Sequence, residues 1–280
     1  MRDRMERGRR RRTKAGLLGV FMSMLVLPVN AAEPPELARA RTLYNSSDYD
    51  GAILAATEAR RQVPVADAAA LVLGRAHLER YRQRADVADL ASAREALAAV
   101  RPAALSPRDR VDLLVGLGQS LFLGEAFGAA AELFDTALAQ ASLLSPKGRL
   151  LLLDWWASAL AREAQTRPLE RRAPVYQRIA VRMEEELRRD AGNPAASYWL
   201  AVAARGAGDF DRAWDAAVAG WVRASLSPET SSSVRTDLDR LVMQALIPER
   251  ARMQAATGLD QQKIASTLIE EWDLIKQQWK

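Results

Sequence analysis

Apolar residues recur three and four positions apart through most of the chain after residue 33, with no convincing alternation at every second position. This spacing gathers apolar side chains on one face of an α-helix, whereas a half-buried strand would alternate apolar and polar positions. Ala, Leu, Arg and Glu dominate the same segments, and all four favour helices. The pattern therefore predicts an all-α protein.

Prolines divide the helical sequence at intervals of 34 to 48 residues, at Pro64, Pro107, Pro146, Pro194 and Pro228. Three of them complete the tripeptide Leu-Ser-Pro, at residues 105–107, 144–146 and 226–228. Ser followed by Pro is typical of a helix start, with Ser as the N-cap and Pro in the first helical position. A start about every 40 residues leaves room for two helices per unit, which indicates an α-solenoid.

Two units carry small and aromatic residues in a recurrent order. The third unit has Leu-Gly, an aromatic residue, and then Ala-x3-aromatic-x2-Ala, at Leu117, Gly118, Phe127, Ala130, Phe134 and Ala137. The fifth unit has a similar set at Leu200, Ala201, Gly208, Phe210, Ala213 and Ala217. This order resembles the tetratricopeptide repeat (TPR). The resemblance implies that Gly or Ala of a first helix admits close approach of the second helix.

Weaker forms of the pattern occupy the other units. The first unit has a fair match at Tyr49, Ala52, Ala56, Ala59 and Pro64. The second keeps only Leu73 and Gly74, and the fourth shows helical periodicity with Trp155 and Trp156 in its first helix. We therefore expect an α-solenoid of about five helix-turn-helix units over residues 32–228, followed by a helical cap over residues 229–280.

The cap is expected to contain two helices. The first covers residues 229–247, with Val234, Leu238, Leu241, Val242 and Ala245 on one face. The second carries one apolar stripe, at Ile264, Leu268, Trp272, Ile275 and Trp279. Covering the last repeat is the simpler interpretation, because the ends of a solenoid must be capped. A partner or dimer contact is the alternative, since aromatic residues are enriched in interfaces.

The basic charge of the chain lies at its N-terminus. Residues 1–14 hold eight Lys or Arg and two Asp or Glu, a charge of +6, whereas the whole chain carries +5, so the remainder carries −1. The short apolar segment Ala15–Val29 and a small-residue site ending at Ala31 follow. This order is typical of a secretory signal peptide, over residues 1–31. It predicts a periplasmic or secreted bacterial protein; an uncleaved segment would instead tether the protein to a membrane.

Composition narrows the possible chemistry. The chain has no Cys and one His, His77, which disfavours disulfides, thiolate or histidine metal sites and Ser/His triads. Nucleic acid is not expected as a partner, because the nearly neutral body lacks a basic surface. We expect no metal, no cofactor and no enzymatic activity. An α-helical cell-wall hydrolase or lyase using Glu79 or Glu125 is the less favoured alternative.

Several conspicuous residues have ordinary structural interpretations. We expect His77 to pack or lie at the surface, and one of the adjacent Trp155 and Trp156 to enter the core. The run Glu184–Glu186 predicts a solvated face. The Asp-aromatic-Asp sequences at residues 48–50 and 209–211 predict turn contacts rather than a calcium site, because too few oxygens converge nearby.

The TPR resemblance implies that first helices line a concave groove for a protein or peptide partner. The groove residues it implies are Arg41, Tyr44, Asn45, Arg75, Glu79, Gln119, Phe122, Leu123, Tyr198 and Arg205. Arg41, Arg75 and Arg205 would hold peptide carboxylates through bidentate hydrogen bonds, or would pair locally with acids. The expected function is that of an exported scaffold or adaptor in cell-envelope assembly, either free or as a membrane-tethered subunit of an envelope complex.

Overall fold

Helices contain most of the residues that the structure describes. The computed structural model describes residues 33–226, 231–256, 258 and 260–280. These residues form thirteen α-helices, short 3₁₀ turns and one π-helical segment, with no strand among them. The all-α prediction is confirmed. The expected signal segment, residues 1–31, and Ser227 and Pro228 of the third Leu-Ser-Pro motif lie outside the described residues.

Ten of the helices form five consecutive pairs. The pairs are α1 (Pro35–Asn45) with α2 (Tyr49–Ala59), α3 (Ala66–Arg84) with α4 (Val87–Ala98), α5 (Pro107–Leu123) with α6 (Phe127–Leu138), α7 (Pro146–Thr166) with α8 (Ala173–Arg189), and α9 (Pro194–Gly206) with α10 (Phe210–Ser225). Each first helix packs on its own second helix, and each second helix contacts the first helix of the next pair. This arrangement confirms the predicted solenoid of helical repeats.

Helix starts follow the local sequence. Ser106 Oγ accepts a hydrogen bond from Asp109 N at 3.1 Å, and Ser145 Oγ accepts one from Gly148 N at 3.1 Å. A proline occupies the first turn of both helices. Each serine therefore satisfies one backbone N–H that the helix itself leaves without a partner, and the predicted helix starts of α5 and α7 are confirmed.

Small residues set the distance between paired helices. A Cβ atom added at Gly118 of α5 would lie 2.5 Å from the buried ring of Phe134 on α6. At Gly74 of α3, it would lie 2.6 Å from the Leu97 side chain on α4. Neither position has room for a side chain larger than hydrogen. The close approach implied by the TPR resemblance is therefore present in both pairs.

The turns within pairs one and five use the same chemistry. Asp48 Oδ1 accepts a hydrogen bond from Gly51 N at 2.9 Å, and Asp209 Oδ1 accepts one from Arg212 N at 3.1 Å. Both aspartates are therefore N-caps of second helices. Their predicted role in the turns is confirmed.

The core is shared between neighbouring pairs. One cluster of buried apolar residues extends from Val111 on α5 to Ala203 on α9, and includes Phe134, Trp156 and Ile179. Because a single helix pair cannot bury its apolar faces alone, the stacking of adjacent pairs supplies the stabilising contact.

The C-terminal segment forms three α-helices, namely α11 (Ser231–Leu241), α12 (Ile247–Ala255) and α13 (Gln261–Gln278). The π-helical segment Val242–Leu246 joins α11 to α12. The single helix expected over residues 229–247 is thus wrong in detail. Pro248 accounts for the π turn, because proline lacks an N–H and its ring crowds the carbonyl four residues earlier.

The apolar stripe of α13 packs on the last repeat. Buried Trp272 makes ring contacts with Trp214 and Trp221 of α10, at centroid distances of 6.0 and 5.4 Å. Trp221 Nε1 donates a hydrogen bond to the Trp279 carbonyl at 3.1 Å. The stripe therefore covers the chain's own core, as the capping interpretation requires.

One acidic residue departs from its expected surroundings. Glu186 is 1% exposed and forms ion pairs with Arg149, Arg182 and Arg189. The prediction of a solvated face for Glu184–Glu186 is therefore wrong for this residue. Successive residues point about 100° apart on a helix, so three in a row cannot all share the outer face.

Candidate functional site: a groove on the first helices

A groove of about 450 Å³ crosses the first helices of four successive pairs. Tyr44 of α1, Arg75 of α3, Gln119 of α5 and Trp155 of α7 each contribute to its wall. We call the surface of α1, α3, α5 and α7 around this cavity the first-helix groove. Successive first helices contact one another along the array, and the cavity is lined by these helices and by Leu144 of the turn before α7.

Five of the predicted site residues meet in this groove: Tyr44, Arg75, Glu79, Gln119 and Phe122. A smaller cavity of about 280 Å³ shares Tyr44 and Arg75 with it and adds Arg41 and Asn45. Leu123 packs beside the core cluster of the second and third pairs. The predicted residues of the first three units, apart from Leu123, thus line two adjoining cavities.

Tyr198 and Arg205 lie on α9 and contribute to neither cavity. The Arg205 guanidinium donates two hydrogen bonds to Glu249 of α12, at 2.8 and 2.6 Å. Arg205 thereby joins the last repeat to the cap. Burial raises the pKa of Tyr198, and the charges of Asp237 and Asp154 raise it further.

The three arginines expected to hold peptide carboxylates each form an ion pair within the chain. Arg41 pairs with Asp109 at 3.1 Å and Arg75 with Asp112 at 3.3 Å, while Arg205 pairs with Glu249. All three arginines therefore pair locally with acidic residues, which was the alternative to binding peptide carboxylates.

Arginine and aromatic side chains stack along the groove. The Arg75 guanidinium carbon lies 4.8 Å from the Tyr44 ring centroid, and that of Arg82 lies 5.1 Å from the Trp155 ring. Burial raises the pKa of Tyr44, partly opposed by the positive charge of Arg75. The groove therefore offers both cationic and aromatic surface to a ligand.

An apolar strip lies at the α5–α7 end of the groove. Phe122 and Trp155 meet edge to face at 5.0 Å, and Leu151, one turn before Trp155, is 55% exposed. Trp156 enters the core while Trp155 stays partly exposed. The expectation that only one of the two indoles would be buried is confirmed.

Sequence reasoning missed several groove residues, namely Arg82, Arg108, Asp112, Leu151, Asp154 and Trp155. Helical spacing from residues already predicted could have identified two of them, Arg82 and Asp112. Arg82 lies seven residues after Arg75, and Asp112 lies seven residues before Gln119. Residues seven apart share a helix face, so the predicted set could have been extended along each first helix.

The other residues considered as possible catalytic or metal-binding groups make structural contacts or lie outside the groove. His77 Nδ1 lies 2.8 Å from Asp89 Oδ1, joining α3 to α4. Glu79 accepts a hydrogen bond from Arg82 at 2.7 Å, and Glu125 is exposed in the turn between α5 and α6, outside the groove lining.

Within the described ranges, no three acidic, His or Cys side chains converge as metal ligands. Among the same residues, no helix has the length and apolar character to span a bilayer.

The family comparison agrees with this architecture. Residues 37–93 match the family model of the tetratricopeptide repeat. The match covers α1 to the middle of α4, the first two helix pairs. No curated protein and no solved structure matches the chain. The prediction of a TPR-like protein is confirmed, and repeats of this family generally serve as non-catalytic scaffolds for protein interaction.

Proposed function

We propose that the protein binds another polypeptide in the first-helix groove and acts as a scaffold or adaptor without covalent chemistry. The observation that carries this proposal is the groove itself, which joins four successive first helices and combines exposed apolar, aromatic and arginine side chains.

The dimensions of the groove suit a short extended peptide. Packed helices lie roughly 8–10 Å apart, so four neighbouring first helices extend over roughly 25–30 Å. An extended chain rises about 3.3 Å per residue, which corresponds to about eight residues. A segment of this length would contact every pair from the first to the fourth.

The chemistry of the groove suits side-chain anchoring. Trp, Tyr and Arg carry a disproportionate share of binding energy at protein interfaces. The groove presents Tyr44 on α1, and Arg82 stacked on Trp155 near Leu151 at its α5–α7 end. A partner with one apolar side chain for the strip near Leu151 and polar groups for the arginines would fill it.

We also propose that the protein is exported and acts in the cell envelope. The order of charge and apolar residues over residues 1–31 supports this part of the proposal. Intact-mass measurement of the mature protein tests it, because cleavage after Ala31 removes the first 31 residues. Retention of the segment in the membrane fraction would favour the tethered-subunit alternative.

A matched pair of substitutions tests the binding proposal. Peptides selected from a random decapeptide library by the purified protein serve as probes, and fluorescence polarisation measures their affinity. We expect Leu151→Lys to weaken binding at least about tenfold, because it puts a charge on the apolar strip. The control is Leu54→Lys on α2, where the native leucine is 73% exposed outside the groove.

Equal affinities of the Leu151→Lys and wild-type proteins would contradict binding in the groove. Thermal melting of both variants shows whether they are folded, and both positions are exposed enough to accept lysine. An equal loss of affinity in both variants would likewise remove the groove from the site.

A further inference from the structure

Asp154 differs from the other acids of the first-helix groove. Glu79 pairs with Arg82, and Asp112 pairs with both Arg75 and Arg108. Asp154 lines the same groove from α7, yet within the described part of the chain no cationic side chain lies within ion-pairing distance of it.

The hydrogen bonding of Asp154 is incomplete. Its Oδ1 accepts one hydrogen bond, from the indole Nε1 of Trp199 on α9, at 2.9 Å. A carboxylate has about four acceptor sites, so this bond leaves most of its capacity available. The indole also fixes the orientation of the carboxylate, since Trp199 is buried.

The surroundings of Asp154 favour a positive charge. Asp154 is exposed to solvent, so a side chain of a partner can reach it. Neighbouring atoms partly desolvate its carboxyl and raise the pKa, and the charge of Asp237 on α11 raises it further, with the Trp199 hydrogen bond opposing both. A bound cation would favour the charged carboxylate. Trp155, the next residue on α7, offers an aromatic surface in the same groove, and the aliphatic stem of Lys or Arg packs well on such surfaces.

We propose that Asp154 is a specificity-determining residue that binds a Lys or Arg side chain of the partner polypeptide, next to an apolar partner side chain on Leu151 and Trp155. The inference rests on the proposed function, since it assigns a partner chemistry to one end of the same groove. The partner is therefore a peptide segment in which a basic residue adjoins an apolar one.

The test uses a synthetic decapeptide library in which one scanned position carries Lys, Arg, norleucine or Glu and the others are randomised. We expect the wild-type protein to enrich Lys and Arg about five- to tenfold over norleucine at one position. Asp154→Asn should reduce this enrichment below about twofold, and Asp154→Lys should favour Glu instead. Asn keeps an oxygen that accepts the Trp199 hydrogen bond, so the fold should be retained, as thermal melting will show.

Glu170→Gln is the matched control, because Glu170 is an exposed acid in the turn between α7 and α8 and outside the groove lining. It should keep the wild-type preference. This inference is wrong if the wild-type protein shows no preference for Lys or Arg, or if the preference survives Asp154→Asn. The proposed function still stands in that case, provided that peptides bind and Leu151→Lys weakens their binding. If the wild-type protein retains no peptide at all, both fail.

Discussion

Phe134 illustrates how single residues stabilise the repeat. Its ring is fully buried between α5 and α6 and lies against Gly118, where even one added carbon would collide with it. Both residues were assigned to a packing role from the sequence alone, because a Leu-Gly followed by an Ala-x3-aromatic set is local and recurrent. The structure adds the specific contact between them.

Phe134→Ala should therefore lower the free energy of unfolding by about 3–5 kcal/mol, since it leaves a cavity in a closely packed site. Chemical denaturation monitored by circular dichroism measures this change. Leu54→Ala is the control and should stay within about 0.5 kcal/mol, because Leu54 is mostly exposed. A Phe134→Ala protein as stable as wild type would contradict the assigned packing.

Asp89 forms a second, electrostatic contact between helices. Its buried carboxylate accepts hydrogen bonds from Arg80 at 2.9 Å and lies 2.8 Å from His77 Nδ1. The hydrogen bonds from Arg80 lower the pKa of Asp89 below its usual value, against the opposing effect of burial, and His77 lowers it further. Periodicity within one helix did not predict this contact, because His77 lies on α3 and Asp89 on α4.

Asp89→Asn should destabilise the protein by about 2–3 kcal/mol at neutral pH, because Arg80 loses a charged partner while keeping Asp50. A carboxyl whose pKa is lowered by folding stabilises the native state above its unfolded pKa, near 3.8, and loses that contribution as the pH falls through the folded value. The difference between wild type and variant should therefore shrink below about pH 4. Urea denaturation across pH measures it, and a difference independent of pH would contradict the ion pair.

At the scale of elements, predictions from local sequence succeeded and those that needed long-range packing did not. The starts of α5 and α7 follow from Ser-Pro, since the cap and the proline act within one turn. Burial of Glu186 was missed, because Arg149, which pairs with it, comes from another helix 37 residues earlier. The π turn at Val242–Leu246 was missed because the apolar pattern continues through it.

The cap should be required for solubility. Deletion of residues 260–280 removes α13 and uncovers apolar residues of α10 and α11, including Trp214, Trp221 and Leu238. We expect the shortened protein to aggregate, as measured by size-exclusion chromatography. Leu274→Ala, at a position of α13 that is 64% exposed, should remain monodisperse. A soluble, folded deletion variant would favour the partner-contact interpretation of α13 instead.

At the scale of the whole molecule, the TPR resemblance predicted part of the lining of the first-helix groove but not its extent. It implied a surface running from α1 to α9, and the first three units of that surface meet in the groove. Arg205 does not join them, because α12 presents Glu249 to it from 44 residues away. No periodicity in a single helix predicts such a pairing. Asp154 and Leu151 were missed because the fourth unit matches the family pattern too weakly to fix its register.

Hydrogen–deuterium exchange of the protein with and without a selected peptide tests the central claim most directly, because it locates the bound polypeptide on the helices. We predict slower exchange in α1, α3, α5 and α7 and no change in their partners α2, α4, α6 and α8. Protection confined to the second helices, or to α13, would contradict a groove formed by the first helices.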